Sequence, residues 1–148
     1  MKNASGIAQL FLRFALGIGF IIPVIDRFGV FGAPGSPGVA WGDWKHFFDN
    51  TNMLIPYVSR GVAEAMGILA TIAEGIFGIC LITGFKIKQI ALGAALLTMM
   101  FGLSMAFFVN IKAPFNYPVF VFTGAALVLS GIGQYKWSID ELIAKNKE

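Results

Sequence analysis

Four stretches of mostly apolar residues, at 6–25, 61–84, 90–109 and 115–132, constrain this chain more than any other feature. A bilayer core about 30 Å thick needs roughly 20 such residues in a helix, and each stretch is of that order. The first carries only Arg13, the second only Glu64 and Glu74, and the third no charge at all. The fourth is the shortest, and Pro118 near its start suits a first-turn proline. Hydrophobic residues make up 57% of the chain and charged residues 13%, with a mean hydropathy of +0.75. A soluble domain of this size is about a quarter charged, so lipid must cover part of the surface. The expected fold is therefore all-α: one transmembrane domain over 1–148, built as a four-helix bundle in a lipid bilayer. The first stretch reads as a retained helix. Its n-region is only Lys2, Arg13 interrupts the apolar run, and no small-x-small cleavage site follows.

The net charge of +3 is spread between the apolar runs, which makes it topology information and not a nucleic-acid footprint. Four spans put both termini and the middle loop on one side, with Lys2, Lys86, Lys88, Lys136, Lys145 and Lys147, six in all. Arg27, Lys45, Arg60 and Lys112, four residues, fall on the other side, over a much longer loop. The positive-inside rule then places the termini and the tail, 133–148, in the cytoplasm. Pairs of small residues four apart (Ala15 with Gly19, Ala63 with Gly67, Ala91 with Ala95, Gly102 with Ala106) are candidate helix contacts.

The long outer loop, 26–60, holds the only sizeable extramembrane segment. After a turn-rich stretch at 32–38, Trp41, Trp44 and Phe48 or Phe47 recur at helical spacing among Asp43, Lys45 and His46. This predicts a short amphipathic helix lying in the headgroup region, where tryptophan is favoured. The same residues, Trp41, Trp44 and His46, are the candidates for a lid over a site between the helices.

Ionisable groups within a bilayer each cost a few kcal/mol and need a partner or a wet cavity. At about 1.5 Å per residue, Arg13 lies about 9–12 Å in from the cytoplasmic end of its helix and Glu74 about 15 Å in from that end of the next. These similar depths on antiparallel neighbours predict an Arg13–Glu74 ion pair. The same arithmetic brings Glu64 level with Asp26 and Arg27 near the outer surface, with Asn110, Lys112, Asn116 and Tyr117 close by. Arg13, Asp26, Arg27, Glu64, Glu74 and Asn116 are accordingly the candidates for a ligand or proton site. Such pairs can equally do no more than fix helix register. The single cysteine, Cys80, stands in an apolar run as a small hydrophobe, and one histidine with one distant cysteine makes no metal site.

The order of these motifs resembles the DoxX-like membrane proteins, four-helix bacterial inner-membrane proteins, over essentially the whole chain. Phe-Leu-Arg-Phe-Ala-Leu-Gly (11–17) is similar to the family's Leu-Arg-x-x-x-Gly opening. Residues 73–85 carry a Glu-x-x-x-Gly-x-x-Leu-x-x-Gly pattern starting at Glu74. Asn-Tyr-Pro (116–118) precedes the fourth span. The tail from Gly131 through Ser138 and Asp140 looks like the family's Gly-x-Gly-x-x-Ser-x-Asp ending with two extra residues. Asp-Arg-Phe-Gly (26–29) and Ala-Trp-Gly-Asp-Trp (40–44) resemble a Bacteroidetes-type sub-group. By position the resemblance carries over to Arg13 and Glu74. Many members have a His-Gly-x-x-Lys-like segment after helix one, where this chain has Ile-Asp-Arg-Phe (25–28). It also lacks the cysteine pairs of thiol-oxidising relatives.

The resemblance implies a redox-associated, quinone-linked subunit of a membrane complex, an oxidoreductase component fed by another protein. No haem, iron–sulfur or flavin motif is visible, so electrons would arrive from a membrane or soluble redox partner. Glu64, Asp26 or His46 would then manage protons, and Trp41 or Trp44 would cover a quinone ring. The competing readings are a lipid- or small-molecule-binding or transport protein, and a non-catalytic assembly subunit whose Gly and Ala faces dock other chains, a second copy included. No half-chain repeat with broken helices favours a standard transporter.

Overall fold

The computed structural model describes residues 2–146, with side chains from Gly6 onward; Lys147 of the topology count lies outside them. Among the described residues the regular structure is helical. In chain order the helices are α1 (Lys2–Asp26), α2 (Trp44–Leu54), α3 (Arg60–Thr83), α4 (Ile87–Phe108), α5 (Ala113–Asn116), α6 (Val119–Ser130) and α7 (Ile139–Lys145). Three of them, α1 from Gly6, α3 and α4, are long and apolar enough to cross a membrane. Only 28% of each of these spans is buried inside the protein, so most of their surface needs an apolar solvent. Phe11, Leu69, Leu96, Val121 and Val128 are among the outward-facing apolar side chains. The chain is thus a multi-pass helical membrane protein with lipid as its environment.

α6 has 12 residues, fewer than a bilayer requires of a single helix. The stretch expected as one helix over 115–132 is broken: α5 ends at Asn116, and Tyr117 and Pro118 intervene before α6. Pro118 stands at the N-cap of α6, one position before the first turn. α4 starts at Ile87, three residues earlier than its apolar run, because a distant carboxylate caps it. Asp140 accepts from the Lys86 and Ile87 N–H groups, both at 2.8 Å.

α1 packs on α3, α3 on α4, α4 on α6, and α6 more sparsely on α1. Leu16, Phe20, Leu81, Ile87, Ala91, Ala94, Ala95, Ala126 and Leu129 form the core. Of the small-residue pairs, Ala91 and Ala95 are buried in it. A close backbone crossing lies elsewhere: a Cβ on Gly17 would stand 2.9 Å from the Gly78 carbonyl, and one on Gly78 equally close to the Gly17 carbonyl. Two glycines let α1 and α3 approach backbone to backbone, the contact that packing in lipid favours.

α3 ends at Gly84, whose φ of +78° is left-handed, with the Gly84 and Phe85 N–H groups both returning to the Cys80 carbonyl. A side chain there would also strike Arg13 and Ser138. In the tail, Ser138 caps α7 by accepting from the Glu141 N–H at 3.0 Å. The Trp137 N–H and Lys145 hold the Glu141 carboxyl below the usual carboxylate range.

Candidate functional site

The predicted Arg13–Glu74 pair does not form. The Arg13 guanidinium is buried and donates to four backbone carbonyls: Leu81 (3.1 Å), Ile82 (3.1 Å), Lys136 (3.1 Å) and Trp137 (3.2 Å). Leu81 and Ile82 stand in the last turn of α3, whose carbonyls lack helical partners and favour a cation. Gln9 adds a bond to the Lys136 carbonyl at 2.9 Å. Arg13 is therefore a structural clasp between α1, the end of α3 and the tail. Equal depth does not bring the two side chains together, because Cβ atoms tilt toward a helix's N-terminus. On antiparallel α1 and α3 that tilt sends Arg13 and Glu74 toward opposite membrane faces.

Glu74 instead meets Arg27, just beyond the end of α1. Arg27 Nη1 lies 2.5 Å from Glu74 Oε2, with both side chains almost fully buried. The same nitrogen donates to Thr71 Oγ1 at 2.5 Å, and Thr71 donates in turn to the Gly67 carbonyl at 2.8 Å. Thr71 escaped notice in the sequence, although a threonine three residues before Glu74 shares its helix face. The guanidinium carbon sits 3.8 Å from the Phe47 ring centroid and 5.1 Å from that of Trp41. Asp26 turns the other way: its Oδ2 accepts from the backbone N–H of Trp41 (2.8 Å) and Gly42 (3.4 Å). Asp26 Oδ1 and Arg27 Nε are buried with no partner among the described residues. Buried polar atoms of this kind call for a water or a ligand.

α2 forms a roof over this pair. It begins at Trp44, later than the aromatic spacing suggested, because Asp43 caps it by accepting from the His46 N–H at 2.8 Å. Trp41 thus lies in the preceding turn, off the helix, where Gly42 has a φ of +73°. Phe47 is buried, and a Cβ on Gly67 of α3 would come within 3.1 Å of its ring. Trp44 packs edge-on to Phe28 and Phe47. The inner face of α2 is committed to the protein and joins Trp41 in covering Arg27.

The remaining candidates lie apart from this centre. Glu64 pairs with Arg60 at 2.8 Å, not with Asp26 or Arg27, and Arg60 reaches Asp49 on α2 at 2.5 Å. His46 is exposed and bonds Asp43 at 2.8 Å. Asn116 is exposed at the end of α5. Arg60 and Lys45 hold the Asp49 carboxyl below its ordinary range, and the His46 N–H does the same for Asp43.

Beside Glu74 a cleft of about 240 Å³ opens between the helices. Gly19, Phe20 and Pro23 of α1 line it on one side, and Thr98 and Phe101 of α4 on another. Tyr117, Pro118, Val119 and Phe122 close it. Thr98 shares a hydrogen bond with Thr123 of α6 at 2.8 Å. One Glu74 oxygen is taken by Arg27, and Glu74 is among the residues that line the cleft. The arrangement offers an open, apolar cleft lined in part by an ionisable residue that is paired with a buried cation. No family model, no curated protein and no solved structure matches this chain.

Proposed function

We propose that this chain is a DoxX-like protein of four transmembrane helices in a bacterial inner membrane, with both termini in the cytoplasm, acting as a quinone-linked subunit of a membrane redox complex. α6, preceded by the Tyr117–Pro118 break and α5, is the fourth crossing in this reading, its 12 residues alone rising about 18 Å. The Lys and Arg distribution supports the orientation.

The single observation behind the quinone reading is a buried carboxylate, Glu74, on the wall of an apolar cleft between membrane helices. Intramembrane ionisable groups facing a cavity mark ligand or proton pathways. Reducing a quinone to a quinol takes two electrons and two protons. The electrons come from a membrane or soluble redox partner, because the chain itself carries no motif for an electron-carrying group. Glu74 supplies the proton path, with Arg27 fixing its carboxyl group. Asp26, Trp41 and Phe47 hold Arg27's surroundings closed to the outer surface. The apolar walls of the cleft equally favour an amphiphile held without electron transfer, which is the lipid-binding reading.

Native mass spectrometry on protein extracted gently from its host's membrane separates these. A retained quinone or an attached redox protein supports the proposal. Glu74→Gln is then expected to abolish quinone turnover in a folded protein. Bare protein, or a phospholipid adduct alone, refutes the redox reading in favour of lipid handling or a non-catalytic assembly role.

A further inference from the structure

A second cleft of about 180 Å³ lies on the α1–α6 seam, lined by Leu12, Ala15, Leu16, Val121, Phe122 and Ala125. Phe122 lines both this cleft and the Glu74 cleft and stands between them. The helices are antiparallel here, so the two clefts follow one another along the seam. The outer one is bordered by Pro23 and Pro118, the inner one by Leu12 and Ala125. From Pro23 to Leu12 is 11 residues of α1, about 16 Å. Ala15 and Val121 are exposed, so the inner cleft is open on the side where lipid would lie.

Polarity is confined to one end. Glu74, Thr98 and Tyr117 border the outer cleft, whereas carbon side chains alone line the inner one. Gly19 lets the Phe122 ring pack against α1 between them. A Cβ on Gly19 would stand 2.5 Å from the Phe122 ring, which also lies edge-on to Phe20 at 6.4 Å. An apolar cleft with a few polar groups at its outer end, followed along the seam by a wholly apolar furrow, is the complement of a ring with a single hydrocarbon tail.

We propose that the α1–α6 seam receives the prenyl tail of the quinone whose ring sits beside Glu74, and that the molecule comes in sideways from the bilayer past Phe122. This rests on the quinone reading above. Lipid solvates a tail about as well as the seam does, so the tail alone brings no hydrophobic gain. Occupancy of the seam must then depend on the ring being held at its polar end. A free hydrocarbon chain should show no such preference.

The test uses the full chain in vesicles of phosphatidylethanolamine and phosphatidylglycerol. The probe is a benzoquinone with one ten-carbon tail ending in a photoreactive diazirine, and the control is the same tail on a plain alcohol. Labelled peptides are read by mass spectrometry. The expected result is quinone-probe label concentrated on residues 12–16 and 121–125, displaced by excess unlabelled quinone, with little seam label from the alcohol. Ala15→Phe and Ala125→Phe fill the furrow from opposite walls, and each should cut seam labelling at least about fivefold. Ala15 is exposed, so its variant tests the furrow without loading the core. Equal seam labelling by the alcohol overturns the quinone assignment and, with it, the reading of the Glu74 cleft. Label spread evenly over the lipid-facing helices, while quinone still binds in a Glu74-dependent way, overturns the seam alone. Ala15→Cys chains that link into dimers, with no tail label at the seam, mean a second copy covers it and likewise overturn the proposal.

Discussion

The pairing of Arg27 with Glu74 makes a quantitative prediction that the rejected Arg13–Glu74 pairing does not. Glu74→Leu leaves the Arg27 guanidinium buried, with Thr71 as its remaining oxygen partner and Nε already bare. Removing one member of a buried ion pair costs about 3–5 kcal/mol. Arg27→Met strands the Glu74 carboxylate at a similar cost of about 3–5 kcal/mol. It also forfeits the contact of the cation with Phe47, about 2 kcal/mol for a desolvated pair. The double variant removes both charges and the burial cost of each. It should be no less stable than the worse single variant, which sets the coupling at about 3 kcal/mol or more. Arg13 binds carbonyls seven and eight residues beyond Glu74 on α3, about 10–12 Å along the helix, and shares no partner with it, so Arg13→Met and Glu74→Leu should add within about 0.5 kcal/mol. Reversible unfolding in mixed micelles of mild detergent and dodecyl sulfate measures all the variants. Additive effects for Arg27 with Glu74, or coupling above about 1 kcal/mol for Arg13 with Glu74, would refute the placement.

Asp140→Ala should uncap α4 from 53 residues away and cost about 1–2 kcal/mol in the same unfolding assay, while Asp140→Asn recovers part of it. Gly84→Ala must place a side chain at φ +78° against Arg13 and Ser138, and should cost at least about 1–2 kcal/mol; an unchanged midpoint would contradict the tail closure. The lowered pKa values of Asp43 and Asp49 mean that their hold on α2 is fully present above the ordinary aspartate pKa of about 4 and is lost as pH falls through the lower folded values. Fluorescence of Trp41 and Trp44 should therefore change in acid below about pH 4, and Asp49→Asn should blunt that change.

How far the sequence could be read depended on the range of each interaction. Apolar length alone identified α1, α3 and α4, because the bilayer requirement is local to each run. The break at Tyr117 and Pro118 was signalled by the proline, yet the apolar count ran straight through it. Glu74, Arg27 and Asp26 were all recognised as costly charges, but depth arithmetic treats a side chain as a point on the helix axis. A long Arg13 side chain leaning toward its N-terminus does not fit that treatment. Ser138 with Glu141 is a capping-box spacing and could have announced α7. Asp140 capping α4 had no local signal at all, since its partners are 53 and 54 residues distant. α2 was foreseen as a helix of aromatic residues, but its docking on Gly67 depends on a three-dimensional neighbour that no periodicity encodes.

The clasp around Arg13 sets a clock on biosynthesis. Its bonds to the Lys136 and Trp137 carbonyls span 123 and 124 residues, so these partners are made long after Arg13 itself. At about 5–20 residues per second, Nη1 of Arg13 waits roughly 6–25 s inside the membrane before those carbonyls exist. During that interval the first helix can be inserted but cannot be finished. A nascent chain halted before Lys136 can fill Nε and Nη2 of Arg13 from the end of α3 but leaves Nη1 without its carbonyls, which distinguishes an incomplete molecule from a complete one at the membrane itself.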